Sequence, residues 1–148
     1  INFYQRYIEN VPDFMNIADK RLLNVYFSKF ETITIEPAIL PNDVVAKGRP
    51  CYLKAEMNEI LVRVKDGALE YLEDGEAEVI IYVFDKSVEV FSKLKHYALP
   101  LLNILDLQLE DGKLILHLRG NGGHKCYEGE LIPILYCLIK KLQAKILS

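Results

Sequence analysis

Apolar residues recur at every second position in some parts of this chain and at every third or fourth in others, spacings that mark strands and helices respectively. Asn2 to Glu9 reads as a strand or extended segment, with Phe3 and Tyr7 on one face and Tyr4 and Ile8 on the other. Val11-Pro12-Asp13 then opens a short helix, because proline is tolerated in a first turn and Asp13 faces the positive end of the dipole. Phe14, Ile17 and Ala18 give that helix its apolar side. Leu22, Leu23, Tyr26 and Phe27 predict a second short helix from about Lys20 to Ser28. Phe30 to Glu36 is β-branched and reads as a strand, and Val44 to Lys47 as another, stopped by Gly48 and Pro50.

The middle of the chain is written in turns. Asp66-Gly67 joins Glu59–Lys65 to Ala68–Leu72, and Asp111-Gly112 joins Leu105–Glu110 to Leu114–Leu118; Asp-Gly between alternating runs is the strongest short hairpin signal. Asp74-Gly75 repeats that chemistry. Glu78 to Phe84 has no polar face, which predicts a strand covered on both sides and central in its sheet. Ser87 to Leu102 fits two periods: Val88, Phe91, Leu94, Ala98 and Leu101 suit a helix, whereas Val88, Val90 and Leu94 suit a strand. The helix is the preferred reading, with Asp85 or Ser87 as its cap and Pro100 breaking it. Gly120 to Gly123 is a turn and His124 to Tyr127 a short strand. A long helix closes the chain from about Glu130 to Leu147, with Pro133 in its first turn. Leu131, Leu135, Leu138 and Leu142 form one stripe on it, and Ile132, Tyr136 and Ile139 a second, an arc wider than one flat packing face requires.

Hairpin connections favour an antiparallel sheet over a doubly wound parallel one. The fold class expected is therefore α+β: a curved antiparallel sheet against a long C-terminal helix, with two short N-terminal helices, in a single domain spanning 1–148. Hydrophobic residues make up 51% of the 148 positions, slightly above the roughly 45–50% of ordinary domains, so the surplus must lie in a core, a cavity wall or an interface. A formal net charge of −3 argues against a nucleic-acid partner, which is usually met by a basic surface. No apolar run reaches the roughly 18 residues a membrane span needs. Three cysteines without regular spacing do not form a disulfide framework, which points to a reducing, cytoplasmic setting. Plentiful Ile, Leu, Lys and Glu with little Gln hint at a thermophilic source.

Candidate chemistry is thin. His117, His124 and Cys126 cluster but match no zinc spacing, and no metal is expected. Gly120-Asn121-Gly122-Gly123 lacks the Lys-Ser or Lys-Thr that opens a helix after a phosphate loop, so it reads as a turn and no cofactor is expected. Glu73, Asp74, Glu76 and Glu78, like Glu110 with Asp111, fall near predicted hairpin tips, where solvated carboxylates do not make an acid–base pair. Cys137 sits mid-helix among apolar neighbours, and Cys126 beside Lys125 is the better nucleophile candidate, still a weak one. Nine tyrosines and no tryptophan suit a half-polar cavity wall, where rings pack and hydroxyls meet a ligand head or water.

Ile8 to Asp19, Leu22 to Phe30 with Glu31 to Glu36, and Tyr127-Glu128-Gly129 leading into the last helix together resemble START-like domains, also called SRPBCC, Bet v 1-like or helix-grip. That resemblance covers about residues 1–49 and 113–148. It implies a curved sheet gripping the final helix around a lipid or other apolar guest. Residues 59–120 are more weakly similar to sterol carrier protein 2 domains, with a hairpin, a strand, a helix and an apolar strand ending at Gly120; that family also carries lipids. The two agree on ligand class and differ in topology, and the function expected is a noncatalytic holder of a hydrophobic small molecule, in a cavity walled by Tyr26, Phe27, Tyr82, Phe84, Leu131, Leu135, Tyr136, Leu138, Ile139 and Leu142. The alternative is an interaction or assembly subunit that docks the apolar face of its last helix on a partner or on a second copy. An enzyme of the kind START-like cavities sometimes host would need His96, His117 or Tyr82 inside the cavity.

Overall fold

Both Asp-Gly pairs turn the chain as their chemistry demands. Asp66 and Gly67 have φ of 53° and 80°, and Asp111 and Gly112 have 50° and 76°, so each two-residue loop is left-handed at both positions and matches the twist of its strands. The computed structural model describes residue 37, residues 42–120 and residues 123–148. The first turn joins β1 (Cys51–Lys65) to β2 (Ala68–Phe84), and the second joins β5 (Ile104–Glu110) to β6 (Lys113–Leu118). Between them lie β3 (Ser87–Phe91), β4 (His96–Pro100) and a single 3-10 turn at Leu101–Asn103. After β6 come β7 (His124–Glu128) and the helix α1 (Ile132–Leu147). The fold is thus α+β: a curved antiparallel sheet of seven strands among the described residues, ordered β4-β3-β2-β1-β7-β6-β5, with the C-terminal helix on one face. This is consistent with a helix-grip arrangement. The expected strands at Asn2–Glu9 and Phe30–Glu36 and the two N-terminal helices lie outside the described residues.

β2 is the apolar run expected to be central, and it has a strand on each side. Its Val79, Ile81 and Val83 point into the main core under α1, while Tyr82 and Phe84 face the other way, with Ala46 and Cys51. Apolar side chains on both faces are what a doubly covered strand requires. Residues 72–75 of β2 lie opposite Leu61 alone, because Ile60 pairs with Glu76 and Val62 with Tyr71. Asp74-Gly75 therefore makes a bulge within a strand and not a second hairpin turn. Beyond Ile60, β1 loses β7 as a described neighbour, since that pairing covers only Asn58 to Ile60. The β1–β2 hairpin continues as a two-stranded ribbon.

The segment Ser87 to Leu102 is not a helix. It is the β3–β4 hairpin, in which Val88, Val90 and Leu99 are buried on the α1 side, whereas Leu94 is 97% exposed at the turn. A helix would have needed Leu94 on its buried stripe. Ser92 makes the turn instead: its N–H donates to the Lys95 carbonyl at 2.9 Å, and its Oγ accepts the Lys95 N–H at 3.1 Å. Pro100 is accommodated because β4 has β3 as its one neighbour among the described residues, so its missing N–H breaks no described ladder. The correction removes the helix on which the sterol carrier protein 2 resemblance leaned. Val44 to Lys47 is likewise a run of turns and not a strand, folded around Asp43, whose Oδ1 accepts the Val45 N–H at 3.1 Å.

One core joins sheet and helix. In α1, Ile134, Leu135, Cys137, Leu138 and Ile139 are fully buried, together with Ile81, Val83, Leu114, Leu116 and Tyr127 of the sheet. Gln143 ties the far end of α1 to the 3-10 turn by donating to the Leu101 and Ile104 carbonyls, both at 2.8 Å. No helix among the described residues is long and apolar enough to cross a membrane.

Candidate functional site

The residues expected to wall a ligand do not meet in one place. Leu135, Tyr136, Leu138, Ile139 and Leu142 are packed into the core between sheet and helix, each at most 2% exposed. Tyr82 and Phe84 lie on the outer face of the sheet, away from α1. Leu131 is half-buried at the start of the helix, and Tyr26 and Phe27 lie outside the described residues.

Three polar constructions remain. The first is inside. Ala55, Met57 and Glu59 alternate onto the inner face of β1, so the strand's own period delivers a carboxylate, 2% exposed, into the core. The Lys95 ammonium lies 2.8 Å from one Glu59 oxygen, and the Tyr97 hydroxyl donates to the other. The Tyr97 and Tyr127 hydroxyl oxygens are 2.5 Å apart. Burial, reinforced by the negative charge of Glu59, pushes the Tyr127 phenol well above its ordinary value of 10, so it stays protonated and donates to Tyr97. Proton donation therefore runs from Tyr127 to Tyr97 to Glu59. The Lys125 ammonium sits 4.5 Å above the Tyr97 ring. A carboxylate so enclosed, with both oxygens engaged, cannot reach a substrate proton. It fastens β4 and the turn before it to β1 and β7.

The second is outside. Asp43 accepts the Tyr82 hydroxyl at 2.9 Å and pairs with Lys54 at 2.8 Å. Burial alone would raise the Asp43 carboxyl, but hydrogen bonds from Lys54, Tyr82 and the Ala46 amide outweigh it and hold the group below 3.8. Beside this cluster, Glu89 is only 8% exposed and takes Arg49 on one oxygen and His96, at 3.1 Å, on the other. Arg49 lies 3.5 Å over the Phe84 ring, and His96 stacks on Phe91 at 4.0 Å. These contacts pin residues 43–49 to the sheet. They also place Tyr82 and His96 on the outer face.

The third is a groove of about 980 Å³ that runs along β1 and β2 toward the start of α1. Ile80 and Phe91 on the outer face of the sheet and Leu131 before α1 give it apolar surface, and Ala55, Met57 and Val79 border it although their side chains are buried in the main core. Its polar rim comes from Lys54, Glu56, Asn58 and Glu78 on the strands, Ser92 and Lys93 at the β3–β4 turn, and Glu128 and Glu130 before the helix. The groove was not legible from periodicity, except that Leu131 was among the expected wall residues. Glu59 had a signal that went unread, a glutamate in phase with Ala55 and Met57 on an otherwise apolar face.

The remaining reactive groups are quiet. His117 and His124 pair across β6 and β7 with their rings edge to face at 4.8 Å, and His117 meets Gln108 at 3.0 Å. No group of three or more His, Cys, Asp or Glu arranged to hold a metal occurs among the described residues. Burial pushes the thiols of Cys51 and Cys126 up to about 11 and that of Cys137 to about 12, which leaves all three protonated and inert as nucleophiles. Compared with known proteins, the chain matches no protein-family model and no curated protein.

Proposed function

We propose that this protein binds and carries a small molecule with an apolar body, a lipid among the candidates, in the groove between β1–β2 and the start of α1. The observation that carries the reading is the groove itself. Its volume of about 980 Å³ falls within the range of small-molecule sites, and it sets an apolar lining inside a polar rim. Burial at roughly 25 cal/mol per Å² would hold such a guest without bond chemistry. The START-like resemblance supports the same ligand class. It would place the guest against the sheet near the last helix, although the stretch of α1 from Ile132 to Ile139 is fully occupied by core packing. For the same reason the assembly alternative finds little support: the helix's apolar face is turned into the protein's own sheet.

Native mass spectrometry of protein purified without denaturant tests the proposal. The expected spectrum contains an adduct of lipid-like mass, and Ile80→Gln, which removes part of the apolar lining, should deplete it about tenfold, equivalent to about 1.4 kcal/mol. Recovery of the bare chain alone, together with no uptake of added amphiphile, would sink it.

A further inference from the structure

Resting on that reading of the groove, we propose that its guest is an organic cation: an ammonium or similarly charged head joined to an apolar tail. Among the described residues, the lining holds four carboxylates, from Glu56, Glu78, Glu128 and Glu130, and two ammoniums, from Lys54 and Lys93. Two of these six charges are already committed at the groove's margins. Lys54 is held by Asp43 at 2.8 Å, and Glu128 by Lys113 at 3.3 Å. That leaves three carboxylates, Glu56, Glu78 and Glu130, against the one ammonium of Lys93 among the described lining residues.

The register sharpens the imbalance. Glu56 pairs with Ile80 and Asn58 with Glu78, so Glu56 and Glu78 are diagonal neighbours on one face of the β1–β2 pair. Such positions are about 7–8 Å apart, close enough for two carboxylates to repel and for one cation between them to meet both. Ile80 lies in the same patch, with Phe91 opposite it on β3. An ammonium seated between the glutamates would thus lay its tail across Ile80 and Phe91. An anionic amphiphile seated the same way would add a like charge to the pair, and a neutral one would leave their repulsion in place.

Titration with dodecylammonium, dodecanol and dodecanoate, all below their aggregation concentrations at pH 7 and followed by isothermal calorimetry, separates the possibilities. Dodecylammonium is expected to bind at least tenfold more tightly than dodecanoate, with dodecanol between them. The double variant Glu56→Gln with Glu78→Gln should erase that ranking and leave dodecanol unchanged, whereas Ile80→Gln should weaken all three alike. Equal or tighter binding of dodecanoate, or a ranking that survives the double variant, overturns the cation assignment while the groove stands as an apolar site. Binding of none of the three overturns the groove and the assignment together.

Discussion

Asp43 has no period to announce it: it stands in a polar loop after Pro41 and Asn42. Yet its side chain is 7% exposed, and two backbone amides, a phenol and an ammonium converge on it. Because its folded pKa lies below the ordinary carboxylate value, its stabilisation is complete above about pH 4 and fades as pH falls through the lower folded value. Asp43→Asn should therefore cost on the order of 1 kcal/mol at pH 7 and progressively less under acid. Paired melting curves from pH 7 to pH 2 check this, and a difference that stays constant with pH would refute the assignment. The buried acids show where reading by residue succeeds and where it stops. Glu59 falls in line with the alternation of β1, so its side of the sheet could be read, whereas Glu89 stands in a segment whose period fits a helix as well as a strand. Their partners Lys95, Arg49 and His96 lie 36, 40 and 7 positions away, and only the folded sheet brings them together.

Elements defined by turn chemistry were legible: the hairpins at Asp66-Gly67 and Asp111-Gly112, the short β7 and the proline-started α1 all stand where local residues put them. The β3–β4 hairpin was not legible, since its apolar residues satisfy a helical period about as well as an alternating one. Tertiary contacts settled the choice, above all Tyr97, which as part of β4 reaches Glu59 and Tyr127. Tyr97→Phe would leave the Glu59 carboxylate one donor short and the Tyr127 hydroxyl without its acceptor, at an expected cost of about 1–3 kcal/mol in urea unfolding. A loss within about 0.5 kcal/mol, ordinary for surface changes, would show that the Tyr97 hydroxyl adds nothing to the ladder and packing that hold β4. The exposed Arg63–Glu70 pair, at 3.1 and 3.2 Å, should contribute far less despite its two hydrogen bonds.

At the scale of the molecule, the apolar surplus goes chiefly into one continuous core under α1, with a smaller cluster on the outer face of the sheet. The wide apolar arc of the helix is accounted for by a sheet that curves around it. That curvature depends on contacts between distant strands and leaves no mark on local periodicity. Leu138 is fully buried in the main core, so Leu138→Ala should cost about 2–5 kcal/mol by chemical denaturation. A loss below about 1 kcal/mol would mean the space beneath the helix is already hollow, and would return the guest to the helix–sheet interface.

The outlying arm of β1 and β2 is free to change length in a way the rest of the sheet is not. Past the bulge opposite Leu61 its two strands have only each other as ladder partners among the described residues, with Lys113 of β6 over the Tyr71 ring at their base, and Val64 is already 54% in solvent. Pleating repeats every second residue, so adding or deleting residues in matched pairs on both strands would move the tip outward or inward and keep each side chain on its own face. A single-residue change on one strand would instead swap inside for outside along the arm. Length variation here should therefore come in even steps, and a reporter peptide spliced at Asp66-Gly67 should ride on the arm without disturbing either the groove or the core.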